Sequence, residues 1–283
     1  AKSATGSIAS FDYAITPVKV QYYDEYDPET LRFSRFKRDM APGAFNILSN
    51  EFERLLIGGV YAKDQAADLE NKFWSNITST TKAAIASAGT ASGYSTAELA
   101  KVAALPTGLF DGVYAMALRN DINSTLTAGR GTYNQVTGTV SCSATTIKQI
   151  LDAIYASVTL NVPGFVDGTL ATAHIFVPRS WRGFINQFNN NPANFKDAFE
   201  KVGEGMDAEF YFNGLRICFV PLPENTAYVQ AHKFLSWNTD LVSDVSFIES
   251  DVIANNRKDR FYWSVMTVIP HISKQGYGVL YTF

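Results

Sequence analysis

Two adjacent stretches decide how the chain is read: VKVQYYDEYDPETLRFSRFKRD, Val18 to Asp39, and AFNILSNEFERLLIGGVYAKDQAADLENKFWSN, Ala44 to Asn76. In the first, Val18, Val20 and Tyr22 alternate with Lys19 and Gln21, which is the period of a strand. The acidic run Asp24, Glu25, Asp27 and Glu29 contains Asp27-Pro28, a turn signal. Leu31, Phe33 and Phe36 then sit among Arg32, Arg35, Lys37 and Arg38. This pattern predicts a hairpin whose second strand is basic and aromatic, ended by Pro42-Gly43. In the second stretch apolar or small residues recur at Phe45, Leu48, Phe52, Leu55, Gly59, Ala62, Ala66, Leu69 and Phe73. Steps of three and four throughout predict an amphipathic helix. At 1.5 Å per residue it would be about 50 Å long, too long to bury in one small globule. It is either a spine across an elongated subunit or part of a coiled coil. Gly58-Gly59 is its weak point, because each glycine costs ~1 kcal/mol relative to alanine in a helix interior.

On the N-terminal side, residues 1–17 read as an extended arm. The start at Ala1, AKSATGSIAS, is polar and has no apolar core of a signal peptide; it fits either removal of Met or cleavage of a longer precursor. On the C-terminal side, residues 78–138 turn to Ala, Gly, Ser and Thr. Short helices are expected near Thr96–Ala104 and within Phe110–Ile122, with loop elsewhere. Ile147, Ile150, Leu151, Ile154 and Val158 form one helical face, opened by Ser143, Thr145 or Thr146 as cap. Ala173–Val177 reads as a buried strand, and Pro178 as the first turn of a helix with Trp181, Phe184, Ile185 and Phe188 inward. Asn213-Gly214 between apolar runs is the strongest hairpin signal. Strands are expected at Tyr228–Leu235, around Phe247, at Arg260–Ile269 and at Tyr277–Phe283, with Ala254–Asp259 a turn.

The chain has 283 residues, with 24 Lys plus Arg against 27 Asp plus Glu, so its net charge is -3. That balance gives no chain-wide case for a nucleic-acid binder, which carries a basic excess. No apolar run approaches the roughly 18 residues of a membrane helix. Two cysteines, Cys142 and Cys218, exclude a disulfide-rich scaffold and suit a reducing compartment. Phosphate-loop, dinucleotide, zinc and nucleophile-elbow spacings are absent. His174, His232 and His271 are widely spread, and no catalytic, cofactor or metal residues are assigned. His174 reads as structural and Cys218 as a small core hydrophobe; a Cys218/His232 nucleophile pair has no supporting motif. The acceptor patterns at Asn76 and Asn123 come without a secretory signal and are discounted.

The charges of the first hairpin carry more. Asp24, Glu25 and Asp27 form either a solvated tip or ion-pair partners for another copy. Arg32, Arg35, Lys37 and Arg38 could meet them, since a guanidinium grips a carboxylate in bidentate fashion. A nucleic-acid patch is the competing reading of the four cations. Tyr22, Tyr23, Phe33 and Phe36 bury little within a hairpin that leaves the subunit, and interfaces favour aromatics beside arginine. These eleven residues are the candidate inter-subunit contacts.

The order of elements (arm, charged hairpin, long helix, α/β region, closing strands) resembles the HK97-like major capsid proteins of tailed bacteriophages. IKQILDAIYASV with HIFVPRSWRGF, then FYFNGLRICFVPLP, then FLSWNTDLVSDVSFIESDVIANNRKDRFYWSVMTVIPHISKQGYGVLY carry the likeness. The resemblance implies an α+β fold with an N-terminal arm (1–17), an E-loop (18–43), a P-domain spine helix (44–77), an A domain with P-domain connections (78–240) and P-domain strands (241–283). It implies no catalysis and no cofactor, but hexamers and pentamers of an icosahedral head around double-stranded DNA, held without specific contacts. Portal, scaffold or protease, and decoration proteins are the implied partners. The implied place is the virion, assembled in the host cytoplasm, without a membrane. Some members join subunits through a Lys–Asn crosslink; Ser264 stands where the acceptor Asn would be, so no crosslink is expected. The alternatives are an encapsulin-type compartment shell, another virion component, and an α+β enzyme or ligand-binding protein.

Overall fold

The computed structural model of the chain describes residues 16–26, 56–119, 134–138, 140–194, 198–205, 208–239, 247–252, 260–273 and 277–283. Strand β1 (Val18–Tyr26) comes first, with Val18, Val20, Tyr22 and Asp24 half-buried and Lys19, Gln21, Tyr23 and Glu25 exposed. Of the expected long helix, 44–55 lie outside the described residues. The remainder is a π-helical turn, Leu56–Tyr61, leading into helix α1 (Ala62–Ser75). The wide turn falls on Gly58-Gly59, where no side chain braces the ordinary helical register.

A correction follows at once. Beyond the short strand β2 (Ile77–Thr78), the expected loop holds a ten-residue helix, α2 (Ser79–Ala88). Its sequence, STTKAAIASA, buries only Thr81 and Ile85 and so shows no apolar stripe. Its start is fixed by Thr78 Oγ1, which accepts from the Thr81 N–H at 3.2 Å. Helix α3 (Thr96–Ala104) matches the sequence reading and opens with a capping box: Ser95 Oγ accepts from Glu98 N at 3.1 Å, and Glu98 Oε2 from Ser95 N at 2.7 Å. Strand β3 (Thr107–Gly108) pairs with β2, and helix α4 (Val113–Leu118) follows. Gly112 is required there. A Cβ at this position would lie 2.8 Å from Asn76 N and Lys72 O, on the backbone that ends α1.

Strand β4 (Asn134–Thr137) precedes helix α5 (Ile147–Asn161), which buries all five residues of the predicted face. Strand β5 (Ala173–Pro178) ends on the proline expected to open a helix. Pro178 is still in register with Val220, so helix α6 begins only at Trp181 and runs to Asn190. Strand β6 (Glu200–Val202) leads to the hairpin of β7 (Glu209–Phe212) and β8 (Leu215–Val220). Asn213 and Gly214 have φ of 48° and 80°, the left-handed pair that a two-residue hairpin turn needs. The single strand expected over Tyr228–Leu235 is two: β9 (Thr226–Ala231) and β10 (Leu235–Asn238), separated by a 3₁₀ turn at His232–Phe234. The turn exists because the two strands belong to different sheets. Strands β11 (Phe247–Val252), β12 (Arg260–Ile272) and β13 (Val279–Thr282) complete the chain; 254–259 lie outside the described residues.

Seven strands form a mixed sheet in the order β4-β13-β9-β5-β8-β7-β6, and β1, β10 and β11 pair with β12 in a second sheet. The last strand, read with the closing 241–283 group, therefore sits in the larger sheet between β4 and β9. Its residues Val279–Tyr281 are wholly apolar, as suits a strand covered on both faces. The alternation of its neighbours builds two cores. Ile175, Val177, Val229 and Tyr281 face α5 and α6, where Ile154, Trp181 and Ile185 are fully buried. Phe176, Tyr228 and Leu280 face the other way, against Phe73 and Trp74 of α1, Ile85, Val102 and Tyr114. Each such large side chain contributes roughly 1.5–3 kcal/mol when fully buried. The architecture is α+β, helices on both faces of one sheet with a smaller sheet beside it.

The buried charged side chains of Arg119 and Glu98 are both paired. Asp111 accepts from Thr78 N at 2.7 Å and Thr81 Oγ1 at 2.6 Å, and lies 3.2 Å from the Arg119 guanidinium, which also donates to Thr81 Oγ1. Fully buried Glu98 accepts from Thr282 Oγ1 at 2.6 Å, tying α3 to the last strand.

Candidate inter-subunit interface

The small sheet is organised by β12, thirteen residues long. β1 lies antiparallel along it for nine in-register pairs, from Val18↔Val268 to Tyr26↔Arg260, and β11 pairs with 260–265. Directly opposed residues share a face. One face therefore carries Val18, Val20 and Tyr22 with Val268, Met266 and Ser264. It turns inward: Val268 and Ser264 are buried, and the Tyr22 ring lies 6.2 Å from that of Tyr61. The other face carries Lys19, Gln21 and Tyr23 with Thr267, Val265 and Trp263. It turns outward, with Tyr23 56% exposed and the three β12 residues half-buried.

Tyr23 is held upright by its neighbour. Its hydroxyl donates to Glu25 Oε1 at 2.6 Å, and that bond pushes the phenol above its ordinary pKa. Asp24 Oδ1 accepts from Glu25 N at 3.0 Å. β1 pairs only with β12 among the described strands, so it forms the rim of the sheet. A rim strand presents a row of backbone donors and acceptors to whatever lies beside it.

Of the eleven sequence-predicted contacts, Tyr22, Tyr23, Asp24 and Glu25 lie on β1. Tyr22 and Tyr23 point to opposite faces, so the two tyrosines do different work. Asp27, Arg32, Phe33, Arg35, Phe36, Lys37 and Arg38 lie outside the described residues. The first arm of the predicted hairpin is also held within its own chain. Its backbone is laddered onto β12 of its own chain, and Tyr22 packs on Tyr61. Trp263 and Val265 are half-buried residues of the outward face that the sequence reading did not single out. Their signal is the alternation in FYWSVMTVI, where Trp263, Val265 and Thr267 fall opposite in phase to the buried Ser264 and Val268.

The remaining candidates for chemistry are placed as follows. His174 is half-buried on β5, its ring 6.0 Å from that of His232. Burial lowers its pKa, helped by His232 and Arg216. Burial pushes the Cys218 thiol up and the Cys142 thiol up to about 12, the reverse of what an activated nucleophile needs. Asn76 is buried and its Nδ2 donates to the Phe110 carbonyl at 2.9 Å, so it is no glycan acceptor in this fold. Ser264, standing where a crosslink acceptor would be, is fully buried on the inward face opposite Tyr22. Among the described residues no three His, Cys, Asp or Glu side chains group as metal ligands, and no helix is long and apolar enough to cross a membrane.

No protein-family model matches the chain, and no curated protein matches it by sequence. Solved structures are similar to it. A chain from the satellite phage P4 procapsid, which includes the size-determination protein Sid, is 9% identical over 100% of this chain and 83% of that chain, with a TM-score of 0.49. One from Gordonia phage Cozz is 9% identical over 100% and 77%, at 0.48. One from the holo-SrpI encapsulin complex of Synechococcus elongatus PCC 7942 is 6% identical over 94% and 73%, at 0.46.

Proposed function

We propose that the chain is a shell-forming subunit, the major capsid protein of a tailed phage, which tiles into hexamers and pentamers around double-stranded DNA. The observation that carries this reading is the outward face of the small sheet. Tyr23, Trp263 and Val265 stand together on a rim strand and its neighbour, and an aromatic patch of this kind beside charged residues is what an interface core is made of. The basic, aromatic segment from Arg32 to Arg38 follows directly in the sequence. On this reading it reaches the next copy, with Asp24, Glu25 and Asp27 as ion-pair partners for its cations. Arm, E-loop, spine, axial and peripheral parts follow the boundaries given above, with β13 lending its strand to the larger sheet. The role is structural, and the net charge of -3 suits DNA held by confinement.

Electron microscopy of the purified chain tests it. Closed shells are expected, and small discrete particles at all concentrations would refute the reading. Reversing Arg35 and Lys37 to Glu together should lower the yield of shells while leaving the circular dichroism of the subunit unchanged. Denaturing electrophoresis of the shells should give a single subunit band; a ladder of multiples would overturn the assignment of Ser264 as a position without a crosslink.

A further inference from the structure

A pocket of about 430 Å³ opens where three parts of the chain meet: Ser75 at the end of α1, Lys101 and Leu105 at the end of α3, and the loop between β8 and β9. That volume is within the roughly 300–1,000 Å³ of small-ligand sites. Its walls are mostly apolar, with Leu105 and Leu222 buried and Ala104 and Pro223 beside them, and the exposed Glu224 also lines it. The loop that forms one wall is braced from several sides. Ser75 Oγ donates to the Pro221 carbonyl and Thr226 Oγ1 to the Pro223 carbonyl. Asn225, at a left-handed φ of 56°, takes the Cys142 N–H on its Oδ1 at 2.8 Å and the Phe283 N–H on its carbonyl at 3.2 Å. The pocket is thus built into the packing and does not depend on a ligand for its shape.

Lys101 is the cation in this pocket, and it has no carboxylate in contact among the described residues. Its Nζ donates to the Asn225 carbonyl at 3.1 Å, one acceptor for three N–H groups. The two acids near it are engaged elsewhere. Glu98 spends one oxygen on Ser95 N and the other on Thr282 Oγ1, and Glu224 accepts from Ser180 Oγ at 2.8 Å. A half-buried ammonium among mostly apolar walls, served by one carbonyl, has N–H groups to spare for a further acceptor. Burial accordingly pushes the amine down to about 8, against the pull of Glu98 and Glu224.

We propose that this pocket binds a carboxylate carried on a short apolar body, with Lys101 receiving the anion and Leu105, Leu222 and Pro223 holding the body. The site stands independently of the shell-forming reading. An incoming carboxylate would take the N–H groups that the Asn225 carbonyl leaves over, and charge-assisted bonds of this kind are the strong ones.

Octanoate is the probe, titrated into the purified full chain by calorimetry, with octan-1-ol as its uncharged counterpart. Saturable one-to-one binding is expected, with octanol weaker by about tenfold or more. Binding should weaken from about pH 7 to about pH 10, because the amine, lowered to about 8, discharges across that range; Glu98 and Glu224 are the other ionisable groups facing it. Lys101→Met, which keeps the apolar stem, should lose octanoate about tenfold and show no such pH dependence. Absence of saturable octanoate binding, equal binding of octanol, or a pH-independent affinity in the unaltered chain would each overturn the proposal. The last two comparisons need no variant, so they decide the matter even where Lys101→Met folds poorly.

Discussion

The two sheets of this chain are made by the same rules and finished differently. In the seven-stranded sheet, β9 and β13 are buried at every residue, with α5 and α6 on one side and the α1–α4 helices on the other. In the small sheet, β1 and β12 alternate between covered and open, and Tyr23, Trp263 and Val265 stand on the open side. The first sheet is complete within one chain. On the proposed reading the second supplies half of an interface. On that reading a subunit built this way folds on its large sheet and keeps its small sheet for association.

The comparison can be broken from either side. Trp181→Ala strikes the complete sheet. It empties a fully buried site between α6 and the strands and should cost about 3–5 kcal/mol in denaturant unfolding. A loss below 1 kcal/mol would mean that this core is not what holds the fold. Gly112→Ala forces a Cβ against the backbone that ends α1 and should cost about 1–3 kcal/mol by the same measurement. Unchanged stability would show that α1 and α4 have room to part. Trp263→Ser strikes the open sheet. Unfolding of the isolated subunit should change by less than about 1 kcal/mol, as for surface substitutions, while assembly measured by sedimentation falls sharply. A large loss of stability with normal assembly would reverse the assignment of the two sheets.

The smallest effect is one of pH. The His174 pKa lies below the ordinary histidine value, chiefly through burial, so the native chain takes up this proton less readily than the unfolded chain. The stability it supports is complete above about pH 6.5 and is lost as pH falls through the lowered native value, by less than about 1 kcal/mol after solvent screening. His174→Gln should flatten that part of the stability profile, followed by urea unfolding between about pH 7 and pH 5. A profile unchanged by the substitution would remove His174 as its source.

How far these features were legible follows from where each signal resides. The Asn213-Gly214 hairpin and the Ile147–Val158 face were plain, because a turn residue pair and a 3.6-residue period are local properties. Helix α2 was not, because Ala, Ser and Thr form a helix without marking a face, and its cap at Thr78 is only one hydroxyl. The split of β9 from β10 was hidden because both halves are strand-like; what separates them is membership of different sheets, which no local pattern records. At the candidate interface the alternation of β1 was legible and its partner was not. The pairing of Tyr22 with Ser264 joins residues more than two hundred positions apart. The Lys101 pocket was equally hidden, since α1, α3 and the β8–β9 loop meet only in the fold.

The claim on which the rest depends is that the open face of the small sheet is covered by another copy of the chain. Hydroxyl-radical footprinting of Tyr23 and Trp263 measures this most directly, in dissociated subunits and in the assembled particles. The account predicts that both side chains are oxidised readily in the subunit and protected in the particle. Equal oxidation of both in the two states would contradict it.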